Sequence, residues 1–97
     1  MKQDEFVIFA ELDREKFEDI LERLMKFFQM VQFGRQGDDW IWVHFTDGKV
    51  DIDSFTSQAL QVKGRRAQQK SAREILDCLE KEWIIKKFNP PQADSTR

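Results

Sequence analysis

Residues 40–55 constrain the fold of this chain more than any other segment, because they contain the pattern of a β-hairpin whose turn sets the strand register. Two stretches of alternating apolar and polar residues flank Asp47-Gly48, a dipeptide that readily adopts the positive φ angles of a type I′ turn. A two-residue loop there places Thr46 opposite Lys49. Moving outward, the same register pairs Phe45 with Val50, His44 with Asp51, Val43 with Ile52, Trp42 with Asp53, Ile41 with Ser54 and Trp40 with Phe55.

Side chains alternate between the two faces of a strand, so this register divides the hairpin into two surfaces. One surface is apolar and is predicted to join the core; it carries Ile41, Val43, Phe45, Val50 and Ile52. The other surface mixes aromatic and polar side chains, namely Trp40, Trp42, His44, Asp51, Asp53 and Phe55. We call this second set the aromatic face, and it is the best candidate for a binding surface.

Hydrophobic periodicity adds a strand and two helices. Residues 5–11 are apolar at both alternating positions, which favours a strand covered on both faces. A broad apolar stripe at helical spacing predicts a helix that is capped by Asp13 and ends near Gln32. A narrower stripe predicts a second helix over residues 67–81.

Two segments fit more than one structure. Residues 57–63 favour a third strand of the meander, and the rival is a short helix capped by Ser54 and stopped by Gly64. Residues 83–88 fit a final edge strand or the end of the second helix, and their β-branched and aromatic residues favour the strand. Regular structure is expected to stop at Asn89-Pro90-Pro91.

The resulting order, β-α-β-β-(β)-α-β, predicts an α+β fold. Its simplest form is a mostly antiparallel sheet with both helices on one face, a variant of the ferredoxin-like arrangement. The apolar side of the hairpin then meets the helices, and the aromatic face lies on the open side of the sheet. We expect a single domain over residues 1–88 and a disordered tail over residues 89–97.

The composition is that of an ordinary globular protein, with 40% apolar and 35% charged residues among 97. The longest apolar run, residues 6–10, is far too short to span a bilayer, and the first residues lack the pattern of a signal peptide. A cytoplasmic location without membrane contact is therefore predicted. Cys78 is the single cysteine, so no intrachain disulfide is expected and the residue should be a half-buried small apolar side chain.

Charge is distributed unevenly along the chain. Residues 1–62 hold 7 basic and 13 acidic side chains, whereas residues 63–97 hold 9 basic and 5 acidic ones. The segment 63–73 contains five cations and no acid: Lys63, Arg65, Arg66, Lys70 and Arg73. Because this cluster lies at a predicted helix start, it indicates a site for phosphate or nucleic acid. The competing prediction, favoured by the acidic balance of the whole chain, is neutralisation by acids around the first helix: Glu11, Asp13, Glu15, Glu18, Asp19 and Glu22.

Residue sets for catalysis or metal binding are incomplete. His44 opposite Asp51 is a candidate pair for acid–base chemistry or pH sensing, but Ser54 points to the other face and no other nucleophile is evident. Asp51 and Asp53 share a strand face, as ligands of a hard cation do, yet a third and a fourth ligand are not evident. The sequence also lacks phosphate-binding and dinucleotide-binding motifs. No catalytic residue, metal or cofactor is therefore predicted.

The aromatic face leads to the predicted function. Two tryptophans at alternate positions of one strand form a larger apolar patch than a monomer normally exposes, unless a loop or the tail covers them. We predict a small non-catalytic module that binds another protein, or a second copy of itself as a homodimer, through the open sheet face. The alternative is nucleic-acid binding through residues 63–73, and the third candidate is a pH-sensing or catalytic pair of His44 and Asp51.

Overall fold

The computed structural model describes residues 5–54 and 59–93. Its main elements are β1 (Phe6–Leu12), α1 (Phe17–Phe27), β2 (Val31–Gly34), β3 (Trp40–Phe45), β4 (Gly48–Asp53), β5 (Leu60–Arg65), α2 (Gln69–Leu79) and β6 (Lys86–Ala93). All neighbouring strands run antiparallel in one sheet of order β2-β3-β4-β5-β1-β6. The predicted α+β class, with an antiparallel sheet and two helices, is confirmed.

Both helices share one hydrophobic core with the same side of the sheet. The core contains Val7, Phe9, Phe17, Ile20, Leu21, Leu24, Ile41, Val43, Val50, Ile52, Leu60, Val62, Ala72, Ile75, Leu76 and Leu79. The apolar side of the hairpin lies in this core, as predicted. Phe45 packs against the core from a partly buried position, and the other four residues of this side are fully buried: Ile41, Val43, Val50 and Ile52. We call the side of the sheet that faces away from the helices the open face.

Strand β1 is buried on both of its faces, as predicted, because it lies between β5 and β6. Val7 and Phe9 enter the core, whereas Ile8 is buried on the open face. Both ladders of β1 shift register between Ile8 and Ala10. This irregularity lets the consecutive residues Phe9 and Ala10 both join the core.

The first helix begins after its predicted cap and ends before its apolar stripe does. The carboxylate of Asp13 accepts the N–H of Glu15 at 2.9 Å and caps the short 3-10 turn that leads into α1. The helix ends at Phe27, and Phe28 already has extended backbone angles, with φ −126° and ψ 143°.

The four residues of β2 form a strand in place of the expected last helical turn. Val31 lies opposite Val43, and Phe33 lies opposite Ile41. Val31 fits a helical stripe and an alternating strand equally well, and β3 supplies the hydrogen bonds that favour the strand. The predicted helix end near Gln32 is wrong for this reason.

The hairpin is confirmed, but its predicted register is wrong by two residues. In the structure Trp40 lies opposite Asp53, Ile41 opposite Ile52, Trp42 opposite Asp51, Val43 opposite Val50, His44 opposite Lys49 and Phe45 opposite Gly48. A shift of two residues keeps every side chain on its predicted side of the sheet, because side chains alternate with a period of two. The predicted assignment of side chains to the two faces is therefore correct, whereas the predicted cross-strand pairs are wrong.

The backbone at the turn explains the shift. The loop consists of Thr46 and Asp47, and Gly48 is the first residue of β4. A type I′ turn at Asp47-Gly48 needs positive φ at both residues. Among the described residues only Gly37 and Gly48 have positive φ, so the turn forms one position earlier and Gly48, at φ 138°, follows it.

The third meander strand and the second helix are both confirmed. β5 pairs with β4 and with β1, which excludes the short-helix alternative over its residues. Residues 57 and 58 of the predicted strand lie outside the described residues. α2 lies within the predicted range 67–81. Cys78, near the end of α2, is free and partly exposed, as expected.

A final edge strand is confirmed, but it begins three residues later than the predicted range 83–88 and continues past its predicted end. β6 lies at the edge of the sheet and runs through Asn89-Pro90-Pro91, so the expected stop at Asn89 is wrong. The prolines are tolerated because residues 88–91 fall within the register shift between the paired residues Lys87 and Gln92. Residues 94–97 of the predicted tail lie outside the described residues.

Candidate functional site

The aromatic face lies on the open face of the sheet. β3 presents its two tryptophans and His44 there, and all three side chains are partly exposed. β4 presents Asp51 and Asp53 beside them, and both carboxylates are buried. Phe55, the remaining member, lies outside the described residues. Five of the six predicted residues are thus brought together on two adjacent strands.

The two tryptophans form a stacked pair that is held against the sheet. Their ring centroids lie 4.6 Å apart, with the ring planes inclined by 39°. Trp40 lies so close to the backbone of Gly34 that a Cβ added there would be 2.5 Å from the indole Nε1. The Lys49 ammonium lies 4.2 Å from the ring centroid of Trp42. Both rings therefore have neighbours within the chain, and the pair is preorganised.

The predicted pairing of His44 with Asp51 is wrong. The corrected register places Lys49 opposite His44, and Lys49 Nζ donates to Asp51 Oδ1 at 2.7 Å. His44 Nε2 instead lies 2.6 Å from Oε1 of Gln32, a distance at which the ring N–H donates to the amide. The imidazole ring also meets the edge of Trp42, with ring centroids 6.4 Å apart.

The carboxylates of the aromatic face are paired with lysines. Asp53 Oδ1 lies 2.9 Å from Lys63 Nζ, and both side chains are only 1% exposed. Asp51 is bound by Lys49, as described above. These ion pairs engage Oδ1 of each carboxylate, and no group of metal-ligating residues occurs in residues 5–54 or 59–93. The Asp51/Asp53 pair therefore forms part of a charge network within the sheet.

The five cations of residues 63–73 do not form one surface. Lys63 is enclosed with Asp53, and Arg65 donates to the backbone oxygen of Asp47. Arg66 forms an ion pair with Glu5 at 2.8 Å. Lys70 and Arg73 are exposed on α2. Neutralisation thus occurs in part, through Asp53 on β4 and Glu5 just before β1, neither of which belongs to the predicted acids around α1.

Two residues beside the aromatic face and one residue on the helix side of the sheet were not predicted from the sequence. Gln32 could be recognised as the partner of His44 only once β2 is known, and Lys49 only in the corrected register. The third is Arg35, whose guanidinium bonds Asp39 at 3.1 Å and Glu18 at 2.7 Å. The hydrogen bond to Asp39 raises the pKa of Arg35 above its ordinary value. Its spacing of four residues from Asp39 was the available signal in the sequence.

A small cleft between α2 and β6 is the other concave feature of interest. It has a volume of about 250 Å³, with Phe9, Leu76 and Phe88 in its lining and Arg73 and Lys87 beside them. This volume is below the usual range of small-molecule sites, and Lys87 is already paired with Glu80 at 2.8 Å. The cleft therefore supports no specific ligand.

The fold and the surface together define a small α+β domain with an aromatic patch on the open face of a six-stranded antiparallel sheet. Comparison with known proteins adds no family to this description, because no family model, no curated protein and no solved structure matches the chain. Within the described residues no helix is long and apolar enough to cross a membrane.

Proposed function

We propose that this chain is a non-catalytic module that binds another protein through its aromatic face. The observation that carries the proposal is the stacked pair of Trp40 and Trp42, which is held in place by Gly34 and Lys49 and is still partly exposed. Tryptophan is enriched among the residues that dominate protein interfaces. A pair that is already fixed loses little conformational entropy when a partner binds.

The charges of this surface favour an apolar protein segment as the partner. Lys49 is paired with Asp51, and Lys63 is paired with Asp53, so the ammonium and carboxylate groups on these strands already have partners within the chain. The indole surfaces and the Gln32–His44 pair are what the face offers to a ligand. An extended peptide with apolar side chains fits that chemistry.

Nucleic-acid binding is the weaker alternative. Bases stack on open aromatic ring faces, but the ammonium group of Lys49 lies over the ring of Trp42, and the ring of Trp40 lies against the backbone of Gly34. Contacts to phosphate supply most of the affinity of proteins for nucleic acids. Of the five predicted cations, only Lys70 and Arg73 are exposed to make such contacts.

The neighbours of His44 support the non-catalytic part of the proposal. Gln32 and Trp42 adjoin the imidazole, and neither is a nucleophile. The predicted partner Asp51 is instead bound by Lys49 at 2.7 Å, so the pair on which a pH-sensing role would depend does not form. The third predicted function, through His44 and Asp51, therefore has little support.

We also propose a ferredoxin-like fold and a cytoplasmic location, and neither of them specifies a function. The strand order is compatible with a ferredoxin-like domain in which the central hairpin is enlarged to the four-stranded meander β2–β5. Many unrelated activities use this fold, so the proposed function rests on the surface alone. A cytoplasmic location belongs to the same proposal, supported by the single free cysteine.

The proposal can be tested with peptides selected from a random display library on the folded chain. We expect the selected peptides to shift the indole N–H resonances of Trp40 and Trp42 and the amide resonance of His44. Trp42→Ser should weaken binding about thirtyfold, which corresponds to ~2 kcal/mol for a residue that dominates an interface. Ile84→Ser is the matched control, because Ile84 is apolar and 99% exposed but lies outside the aromatic face.

Two results would contradict the proposal. One is a set of peptides that bind Trp42→Ser as tightly as the unchanged chain and whose resonance shifts lie elsewhere. The other is salt-sensitive binding of short oligonucleotides that is lost in Lys70→Gln/Arg73→Gln, which would favour the nucleic-acid alternative. Resonance mapping on the unchanged chain keeps the test valid if Trp42→Ser does not fold.

A further inference from the structure

The two edge strands of the sheet differ in how well they are protected against pairing with a strand of another chain. An edge strand exposes unpaired N–H and C=O groups, and proteins usually blunt such edges with charges, prolines or bulges. The β6 edge carries Lys86, Lys87, Pro90 and Pro91 and has a register shift. The β2 edge carries none of these, and the uncharged segment around it extends over residues 27–34.

Two exposed apolar side chains lie at the unprotected edge. Phe33 belongs to β2 and Met30 directly precedes the strand, and both side chains are exposed. Phe33 is 48% exposed although it lies on the helix side of the sheet, opposite the buried Ile41. This edge is therefore both apolar and open to strand pairing.

The ladder between β2 and β3 shows which backbone groups are unused. The N–H of His44 donates to the carbonyl of Met30 at 2.9 Å. Hydrogen-bonded pairs alternate along an antiparallel ladder, so Gln32 and Gly34 also bond to β3. The N–H and C=O groups of Val31 and Phe33 therefore point away from β3, toward the free edge.

From this edge we infer that β2 is the contact strand of a homodimer, in which two copies pair antiparallel and join their sheets. The pairing is centred on Gln32, which lies opposite Gln32 of the second copy. Val31 of each copy then lies opposite Phe33 of the other. The outward groups of these two residues form four hydrogen bonds between the copies, and no bond between β2 and β3 is broken.

The side chains make this pairing self-complementary. On the helix side, Val31 and Phe33 form two apolar cross-strand pairs that extend the core across the contact. On the open face, the NH₂ group of Gln32 can donate to Gln32 of the second copy, while its oxygen accepts from His44. Such an isologous contact closes at two subunits.

The charges near the edge do not oppose the pairing. Arg35 is the first cation after β2, and it is neutralised by Glu18 and Asp39 at 2.7 and 3.1 Å. The strand itself has no charged residue that would face its own copy. A second copy therefore fits this edge better than a strongly charged segment of another protein.

Sedimentation equilibrium on the full chain tests the inference. The mass should approach twice 11.6 kDa as the concentration rises. Val31→Pro should raise the dimer dissociation constant by about tenfold or more, because two of the four donors are lost while the β2–β3 ladder is preserved. Phe33→Lys should do the same by placing a cation in the apolar contact, whereas the control Ile84→Lys should stay dimeric.

The outcomes separate this inference from the proposed function. A mass of 11.6 kDa at every concentration overturns it, and so does a dimer that is unaffected by both changes in β2. A dimer lost in Trp42→Ser but kept in Val31→Pro assigns association to the aromatic face instead. If Val31→Pro does not fold, Phe33→Lys carries the test, since that side chain is already half exposed. Peptide binding at the aromatic face does not depend on any of these results.

Discussion

A single glycine sets the geometry of the aromatic face. Trp40 occupies the space in which a side chain at position 34 would lie, so Gly34 lets the indole lie against β2. Trp42 then stacks on Trp40 at a centroid distance of 4.6 Å. At the residue scale the proposed binding surface therefore depends on a close contact, and aromatic residue types alone would not produce it.

Gly34→Ala should displace the indole of Trp40 and separate the pair. The added Cβ would lie 2.5 Å from Nε1, so the ring has to move. We expect a weaker near-ultraviolet circular dichroism signal from tryptophan and a loss of about 1–2 kcal/mol in the free energy of unfolding. Urea titration measures the second quantity.

Gly37→Ala is the control for that change. Gly37 has φ 80° and no atom within 4 Å of an added Cβ. The substitution should cost ~1 kcal/mol through backbone strain and leave the tryptophan signal unchanged. If Gly34→Ala also leaves the near-ultraviolet spectrum intact, Gly34 does not hold the tryptophan pair.

At the scale of elements, β4 and β5 are joined by a buried ion pair on the open face. Asp53 and Lys63 are 2.9 Å apart and each is 1% exposed. Burying two charges costs desolvation energy, but removing one of them leaves the other charge buried without its main partner. The β4–β5 ladder therefore depends on both residues being present.

Lys63→Met should lower the free energy of unfolding by about 3–5 kcal/mol, because it leaves the carboxylate of Asp53 buried without its ammonium partner. Lys87→Met is the matched control, since Lys87 pairs with Glu80 where the two side chains are 52% and 37% exposed. That change should cost about 0–1 kcal/mol. Equal losses in the two variants would show that the buried pair has no special role in the ladder.

The elements differ in how far the sequence determined them. The two faces of the hairpin were predictable because side-chain alternation survives a register shift of two residues. The register was not, because it depended on which residues near the turn adopt positive φ, and only Gly48 does. Strand β2 was missed because Val31 matches both periodicities and its strand structure depends on pairing with β3.

The same reasons decide which contacts of the candidate site were predictable from the sequence. The placement of Trp40 and Trp42 on the open face followed from alternation alone and was predictable. The predicted pair of His44 and Asp51 was wrong because the predicted register was wrong. Gln32 could not be identified as the partner of His44 because strand β2 was not predicted. The enclosure of Lys63 also escaped prediction, because exposure of an open sheet face cannot be judged from strand patterns.

At the scale of the whole molecule, the inferred dimer would double the proposed binding surface. Residues opposite each other in an antiparallel ladder point to the same face. Because Gln32 lies opposite its own copy, the two-fold axis runs perpendicular to the joined sheet. The two aromatic faces then lie on the same side, on either side of the β2 contact, and a ligand with two binding segments can reach both.

A tandem peptide tests this arrangement. Two copies of a peptide selected on the aromatic face, joined by a flexible linker, should bind the dimeric chain about a hundredfold more tightly than one copy, because the second contact is intramolecular. Val31→Pro should remove this advantage and leave the affinity for the single peptide unchanged, which titration calorimetry with both peptides would measure. An advantage that persists in Val31→Pro would mean that the two aromatic faces are brought together by a contact other than β2.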